Sequence, residues 1–205
     1  MSQQVSPDFR NAAAFAYREA ICEKMEIVPF AHQRSWWAAA EGLILHSVPD
    51  SQGQLVRLPD ASVQRWMVAP REEGPARFLA DLGAFKVGKS FGAALFAAGF
   101  ACLPHRRIKL VGIEYDLCEP EFSYLIEFLL SERGMNMKAK SVTNRPRSGD
   151  MFLELDNGTR YEARSWERKD SLKGKEDDLY IYCEAYQLPG IECFTGFSQN
   201  LRARK

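Results

Sequence analysis

Residues 83–90 read Gly-Ala-Phe-Lys-Val-Gly-Lys-Ser, and this stretch constrains the fold more than any other. The pattern G-x-x-x-x-G-K-[ST] is a phosphate-binding loop (Walker A) when it joins a strand to a helix. Arg77-Phe-Leu-Ala-Asp-Leu82 before it can be a strand, and Phe91-Gly-Ala-Ala-Leu-Phe-Ala-Ala98 after it reads as a buried helix. Gly83 and Gly88 let the backbone bend so that successive N–H groups point at one anion. The following helix adds its positive N-terminal end. Gly83, Ala84, Phe85, Lys86, Val87, Gly88, Lys89, Ser90 and Phe91 are therefore the candidate nucleotide-binding residues. Lys89 would reach the β- and γ-phosphates of a nucleoside triphosphate, and Ser90 would hold Mg²⁺ through its hydroxyl. Lys86 adds a second positive charge within the loop.

With 205 residues, 46% of them hydrophobic, the chain can bury a sizeable core, which excludes a disordered protein. Its 27 basic and 27 acidic residues balance, so a nucleic-acid partner would need a local patch. Five cysteines without a C-x-x-C pair and three scattered histidines suggest neither a disulfide framework nor a zinc site. Reduced cytosol is the expected compartment. The N-terminus lacks a secretion signal. The apolar run around 91–103 is too short to span a bilayer, so no membrane partner is expected.

Ser6-Pro7-Asp8 can start a helix, and residues 12–25 carry an apolar stripe of Phe15, Ala16, Ile21, Cys22 and Met25. A second helix is expected from Ala31 to about Ser47, with Trp36, Trp37, Ala40, Leu43 and Ile44 inward. The tryptophan pair reads as core packing rather than a base-stacking platform. Gln33 opens this helix. Upstream of a phosphate loop, such an amide can read the adenine edge, because it pairs as donor and acceptor; it can equally be an ordinary glutamine near a helix start. Residues 54–76, with Pro59, Pro70, Gly74 and Pro75, read as a connector. Residues 1–70 are thus expected to be a helical lid or subdomain with its connector, and 71–205 the core.

Arg106-Ile-Lys-Leu-Val-Gly-Ile113 reads as the next strand, and residues 121–132 as a helix with Phe122, Leu125, Ile126, Leu129 and Leu130 on one face. Asp116 can sit on the nucleotide side of that strand or act as a local cap. Residues 134–150 read as a basic loop with Lys138, Lys140, Arg145 and Arg147, either solvated or touching a phosphate backbone. Met151–Leu155 and Thr159–Arg164 around Asp-Asn-Gly158 form a hairpin signal. Leu179-Tyr-Ile-Tyr-Cys183 reads as a buried strand ending at Glu184. A carboxylate there can polarise attacking water, so Glu184 is the candidate catalytic base beside Lys89. The same position can also hold an acid that only faces solvent.

In this order the pieces resemble the ATPase domain of the large terminase subunit of tailed bacteriophages, the motor that packages DNA. The resemblance covers roughly residues 28–190. It is carried by Gln33, by Gly83–Ser90, by Ile108–Asp116 running into Pro120-Glu-Phe122, and by the run from Gly158 through Leu172-Lys-Gly174 to Leu179-Tyr-Ile-Tyr-Cys-Glu-Ala185. It implies an α/β fold: a P-loop NTPase core with a mainly parallel sheet flanked by helices, behind a small helical N-terminal subdomain. It further implies ATP and Mg²⁺ as ligands, with Glu184 near the metal through water. Duplex DNA, a portal protein, a small terminase subunit and further copies of the chain are the implied partners, in the cytoplasm of an infected bacterium.

Two departures stand out. The family usually places Asp before the catalytic Glu to hold the magnesium shell, and here that residue is Cys183. A thiol is a poor Mg²⁺ ligand, which leaves Glu184 alone or helped by Asp116 or Asp178. The chain also stops at Lys205, where the family continues with a coupling motif and a nuclease domain, so a truncated, split or fragmentary terminase is expected. The alternatives are a helicase-like nucleic-acid ATPase and an ATP-binding remnant without turnover. Arg71, Arg77 and Lys86 are equal candidates for a cation acting in trans.

Overall fold

The computed structural model describes residues 7–29, 33, 34, 37, 43–47, 66–70, 88–167 and 177–188. The strand expected at 77–82, loop residues 83–87, Arg71, Trp36 and the Leu172-Lys-Gly174 element lie outside the described residues. Two compact units, Met1–Gly92 and Ala93–Lys205, are taken in turn.

In the first unit, helix α1 is Pro7–Lys24, and Pro7 suits a first helical position because no N–H is needed there. Its inward face is Ala14, Phe15, Arg18, Ile21 and Cys22. The expected stripe is shifted: Ala16 is exposed, and the buried Arg18 takes a place on the inner face. Arg18 is tolerated there because its guanidinium lies 5.1 Å from the centroid of the Trp37 ring and 5.8 Å from that of Phe15. Trp37 is fully buried, as core packing requires.

Gln33, Arg34 and Trp37 are helical, yet Leu43–Ser47, expected to continue that helix, is strand β1. It pairs antiparallel with β2, Trp66–Pro70, a stretch expected to be connector. Leu43-Ile-Leu45 is a short apolar run just after Gly42. Such a run fits a strand as well as a helix once a partner strand is available. The N-terminal portion is therefore not purely helical.

Among the described residues the second unit holds a five-stranded sheet in the order β4-β5-β6-β3-β7. The strands are β3 Arg107–Gly112, β4 Ala139–Arg145, β5 Asp150–Leu155, β6 Arg160–Ser165 and β7 Leu179–Tyr182. Strand β3 is parallel to both β6 and β7, whereas β4, β5 and β6 run antiparallel. Among the described residues the sheet is thus mixed, and the mainly parallel sheet expected is met in part, by β6, β3 and β7. The reason is local: the Asn157-Gly158 turn makes β5 and β6 a hairpin, and the expected basic loop supplies β4 as an edge strand. Exposed lysine and arginine suit such an edge.

One face of the sheet is apolar, with Ile108, Leu110, Met151, Leu153, Leu155, Tyr161, Ala163 and Ile181 buried. Helix α2, Lys89–Gly99, contributes Ala94–Ala98, all buried. The Tyr161 hydroxyl on that face donates to the Ala97 carbonyl at 3.1 Å. Helix α3, Glu119–Leu130, adds Phe122, Leu125, Phe128 and Leu129.

The hairpin turn is tied to the lead-in of β3. Asn157 Nδ2 donates to the Ala101 carbonyl at 2.7 Å, and Thr159 Oγ1 donates to that of Leu103 at 2.5 Å. Gly158 has φ +83°, and a Cβ there would collide with His105 Nδ1. Gly158→Ala is therefore expected to cost about 1–3 kcal/mol in urea unfolding. His105→Ala should recover only the steric part of that loss.

Candidate functional site

In the first unit the described end of the candidate phosphate loop is Gly88, at φ +78°. An L side chain rarely adopts that backbone, so the second glycine of the pattern is needed for the turn. Helix α2 starts at the next residue, and its first hydrogen bond runs from Gly92 N to the Gly88 carbonyl at 2.8 Å. Lys89, Ser90 and Phe91 occupy the first turn, each half-buried. Gly83, Ala84, Phe85, Lys86 and Val87 lie outside the described residues.

Gln33 lies at this point, 6% exposed, and is no ordinary surface glutamine. Its Nε2 donates to the Gly88 carbonyl at 3.1 Å across 55 residues of sequence. One turn further, Trp37 Nε1 donates to the Gly92 carbonyl at 3.1 Å. A Cβ on Gly92 would stand 2.8 Å from Gln33 Nε2, so the missing side chain makes room for the amide. Arg34 is held away from this contact by two hydrogen bonds to the Glu19 carboxylate, at 3.2 and 3.1 Å.

In the second unit, β7 continues its ladder beyond Tyr182 through Cys183 N to the Val111 carbonyl at 2.9 Å. Glu184 then takes φ +49°, ψ +50° and turns the chain off the sheet into a short 3₁₀ helix, Ala185–Gln187. A glutamate in the left-handed region is uncommon, and such strain collects at functional positions. Its side chain is half-exposed, so the carboxylate can meet a ligand.

Cys183 is buried. A hydrogen bond with Cys118, burial, and the neighbouring Glu121 push its thiol well above the ordinary range. It is a buried thiol, and a thiol is a poor ligand for Mg²⁺, which prefers oxygen. Glu121 sits in the first turn of α3 and is buried, and Cys118 closes the 3₁₀ turn Asp116–Cys118. Among the described residues no cluster of three or more His, Cys, Asp or Glu could hold a metal.

The two acids considered as helpers part company. Asp116 is exposed and follows β3, at the end where its parallel neighbour β7 leads into Glu184. Asp178 precedes β7, at the other end. Its carboxylate accepts from Arg106 Nη1 at 2.7 Å and from Arg107 N at 2.9 Å. It is a structural clamp and not a helper of Glu184.

A second buried group escaped the sequence reading. Lys109 Nζ lies 3.4 Å from Asp177 Oδ2 and 3.6 Å from Glu162 Oε2, and the Tyr180 hydroxyl donates to Asp177 Oδ2 at 2.6 Å. The only available signal was Lys109 in the middle of an apolar strand, with Asp177-Asp178 ahead of another.

The chain is similar to the large terminase ATPase domain of Thermus phage P74-26, at TM-score 0.43 and 20% identity over 57% of this chain and 50% of that one. An arginine-to-alanine variant of the same domain gives TM-score 0.41 and 19% identity over the same shares. The match thus spans about half the length of those domains. No family model and no curated protein matches the chain.

Burial, with Glu19 nearby, also pushes the Cys22 thiol up to about 12. Thiols of the unfolded chain ionise near 8.5. Above that pH the unfolded state releases protons that the folded state keeps, so stability falls as pH rises. Urea midpoints measured between about pH 8 and 11 should decline, with each thiol adding up to about 1.4 kcal/mol per pH unit. The double substitution Cys22→Ala, Cys183→Ala should flatten that slope.

Proposed function

We propose that this chain is the ATP-hydrolysing motor domain of a phage DNA-packaging terminase. It binds ATP with Mg²⁺ and couples hydrolysis to movement of duplex DNA. One observation carries the nucleotide part: Gly88 in a left-handed turn is followed at once by a helix whose first residues are Lys89 and Ser90. The first N–H groups of such a helix lack internal partners and face an anion. Lys89 neutralises phosphate charge and Ser90 supplies a hydroxyl ligand to Mg²⁺. The metal, when bound, offsets the charge of the transferred phosphoryl group.

Glu184 is the base that orients attacking water. Its support is its position just past a core strand, half-exposed, in a backbone conformation a glutamate seldom takes. The packaging assignment is supported by the order of the motifs, from Gln33 through the loop to Leu172-Lys-Gly174 and Glu184. A portal ring, a small terminase subunit and further copies of the chain are the partners that this assignment entails. A second reading is favoured by the buried neutral Cys183: the chain binds ATP without turning it over.

ATP binding and hydrolysis by the purified chain, with and without duplex DNA, separate these readings. Lys89→Ala is expected to abolish nucleotide binding. Glu184→Gln should keep binding and lose hydrolysis by about 10²-fold or more. Wild-type turnover no faster than that of Glu184→Gln would identify a binding remnant. Stimulation by single strands in preference to duplex would instead favour the helicase-like alternative.

A further inference from the structure

We propose that Gln33 is a positioning residue that sets the orientation of the phosphate loop's last peptide, and so controls affinity for the phosphates rather than for the base. This role rests on the nucleotide-binding reading above. The Gly88 carbonyl accepts two hydrogen bonds, from Gly92 N at 2.8 Å and from Gln33 Nε2 at 3.1 Å. That carbonyl and the Lys89 N–H belong to one planar unit, with no cis bond among the described residues. In a trans peptide the two groups point in opposite directions. Fixing the carbonyl therefore fixes the direction of the Lys89 N–H, which stands at the amino end of α2, where a helix favours an anion.

The need for such a clamp follows from Gly88 itself. Without a Cβ, and at φ +78°, the peptide can rotate among several conformations of similar energy. A donor from a separate helical stretch narrows that choice before any ligand arrives. The clamp has two rungs of the same spacing: Gln33 and Trp37 are four residues apart and donate to carbonyls of Gly88 and Gly92, also four apart. The second rung is braced by Arg18 over the Trp37 ring. Gly92 is small where the first rung passes, because a Cβ there would meet the amide nitrogen at 2.8 Å.

The test measures dissociation constants of wild type, Gln33→Ala, Gln33→Met, Gly92→Ala and the double variant Gln33→Ala, Gly92→Ala. The ligands are ATP, GTP and inorganic triphosphate, each with Mg²⁺. Gln33→Met keeps the bulk and removes the donor, and thermal unfolding of each ligand-free variant reports on folding. The expected result is a loss of about tenfold for all three ligands alike on removing one hydrogen bond. Gly92→Ala should mimic it, and the double variant should be no weaker than either single one. If the Gln33 variants lose ATP alone and keep GTP and triphosphate, the amide reads the base and the positioning role is overturned. Unchanged affinity for all three in Gln33→Met overturns it as well. A wild-type chain that binds none of the three overturns the nucleotide reading and this role with it.

Discussion

Strand β3 is paired in parallel on both edges, and the second unit is built outward from it. Ile108 stands level with Tyr161 on one side and Leu179 on the other. Parallel pairing brings the carboxyl ends of β6, β3 and β7 together, where Ser165 Oγ donates to the Ile113 carbonyl at 2.7 Å and Cys183 N to that of Val111. Ligands of open α/β sheets bind at such carboxyl ends, and Glu184 leaves the sheet there. The amino ends are closed differently. The Arg106 guanidinium and the Arg107 backbone N–H both donate to the Asp178 carboxylate, so that acid is engaged in holding strands together.

This central position makes buried polar groups expensive and explains how they are arranged. Lys109 is 2% exposed and would be costly alone; Asp177 and Glu162 supply opposite charge, and Tyr180 supplies a hydrogen bond to Asp177. Cys183 follows the same logic in reverse. A carboxylate at that place would lie beside the buried Glu121, and like charges in a shared site disfavour each other. A neutral thiol avoids the conflict and gives up a hard oxygen donor. Under the proposed function, the chemistry at the end of β7 then falls to Glu184.

Local patterns were legible in the sequence where chain neighbours decide them. The Asn157-Gly158 hairpin, the β3 strand, the helix after it and the β7 strand all form where their periodicity and turn residues place them. Long-range pairing decided the rest. Leu43–Ser47 became a strand because Trp66–Pro70 pairs with it, and the basic segment after Gly134 became an edge because the hairpin offered one. The role of Asp178 was hidden because its partners, Arg106 and Arg107, stand some seventy residues earlier. Gln33 was singled out by its place upstream of the loop, but its acceptor, the Gly88 carbonyl, is set by folding across 55 residues of chain. Arg18 broke the helical stripe for a reason that lies in Trp37, outside its own helix.

Under the proposed function, Gly88 and the first turn of α2 form a preset anion cradle. The Lys89 backbone amide is its most direct reporter. Amide resonances of the ¹⁵N-labelled chain, followed as ATP and Mg²⁺ are added, should show Lys89 and Ser90 shifting strongly and becoming protected from hydrogen exchange. The Gly158 amide, in the hairpin turn of the second unit, serves as the internal reference. Unmoved Lys89 and Ser90 amides at saturating ATP would contradict the claim.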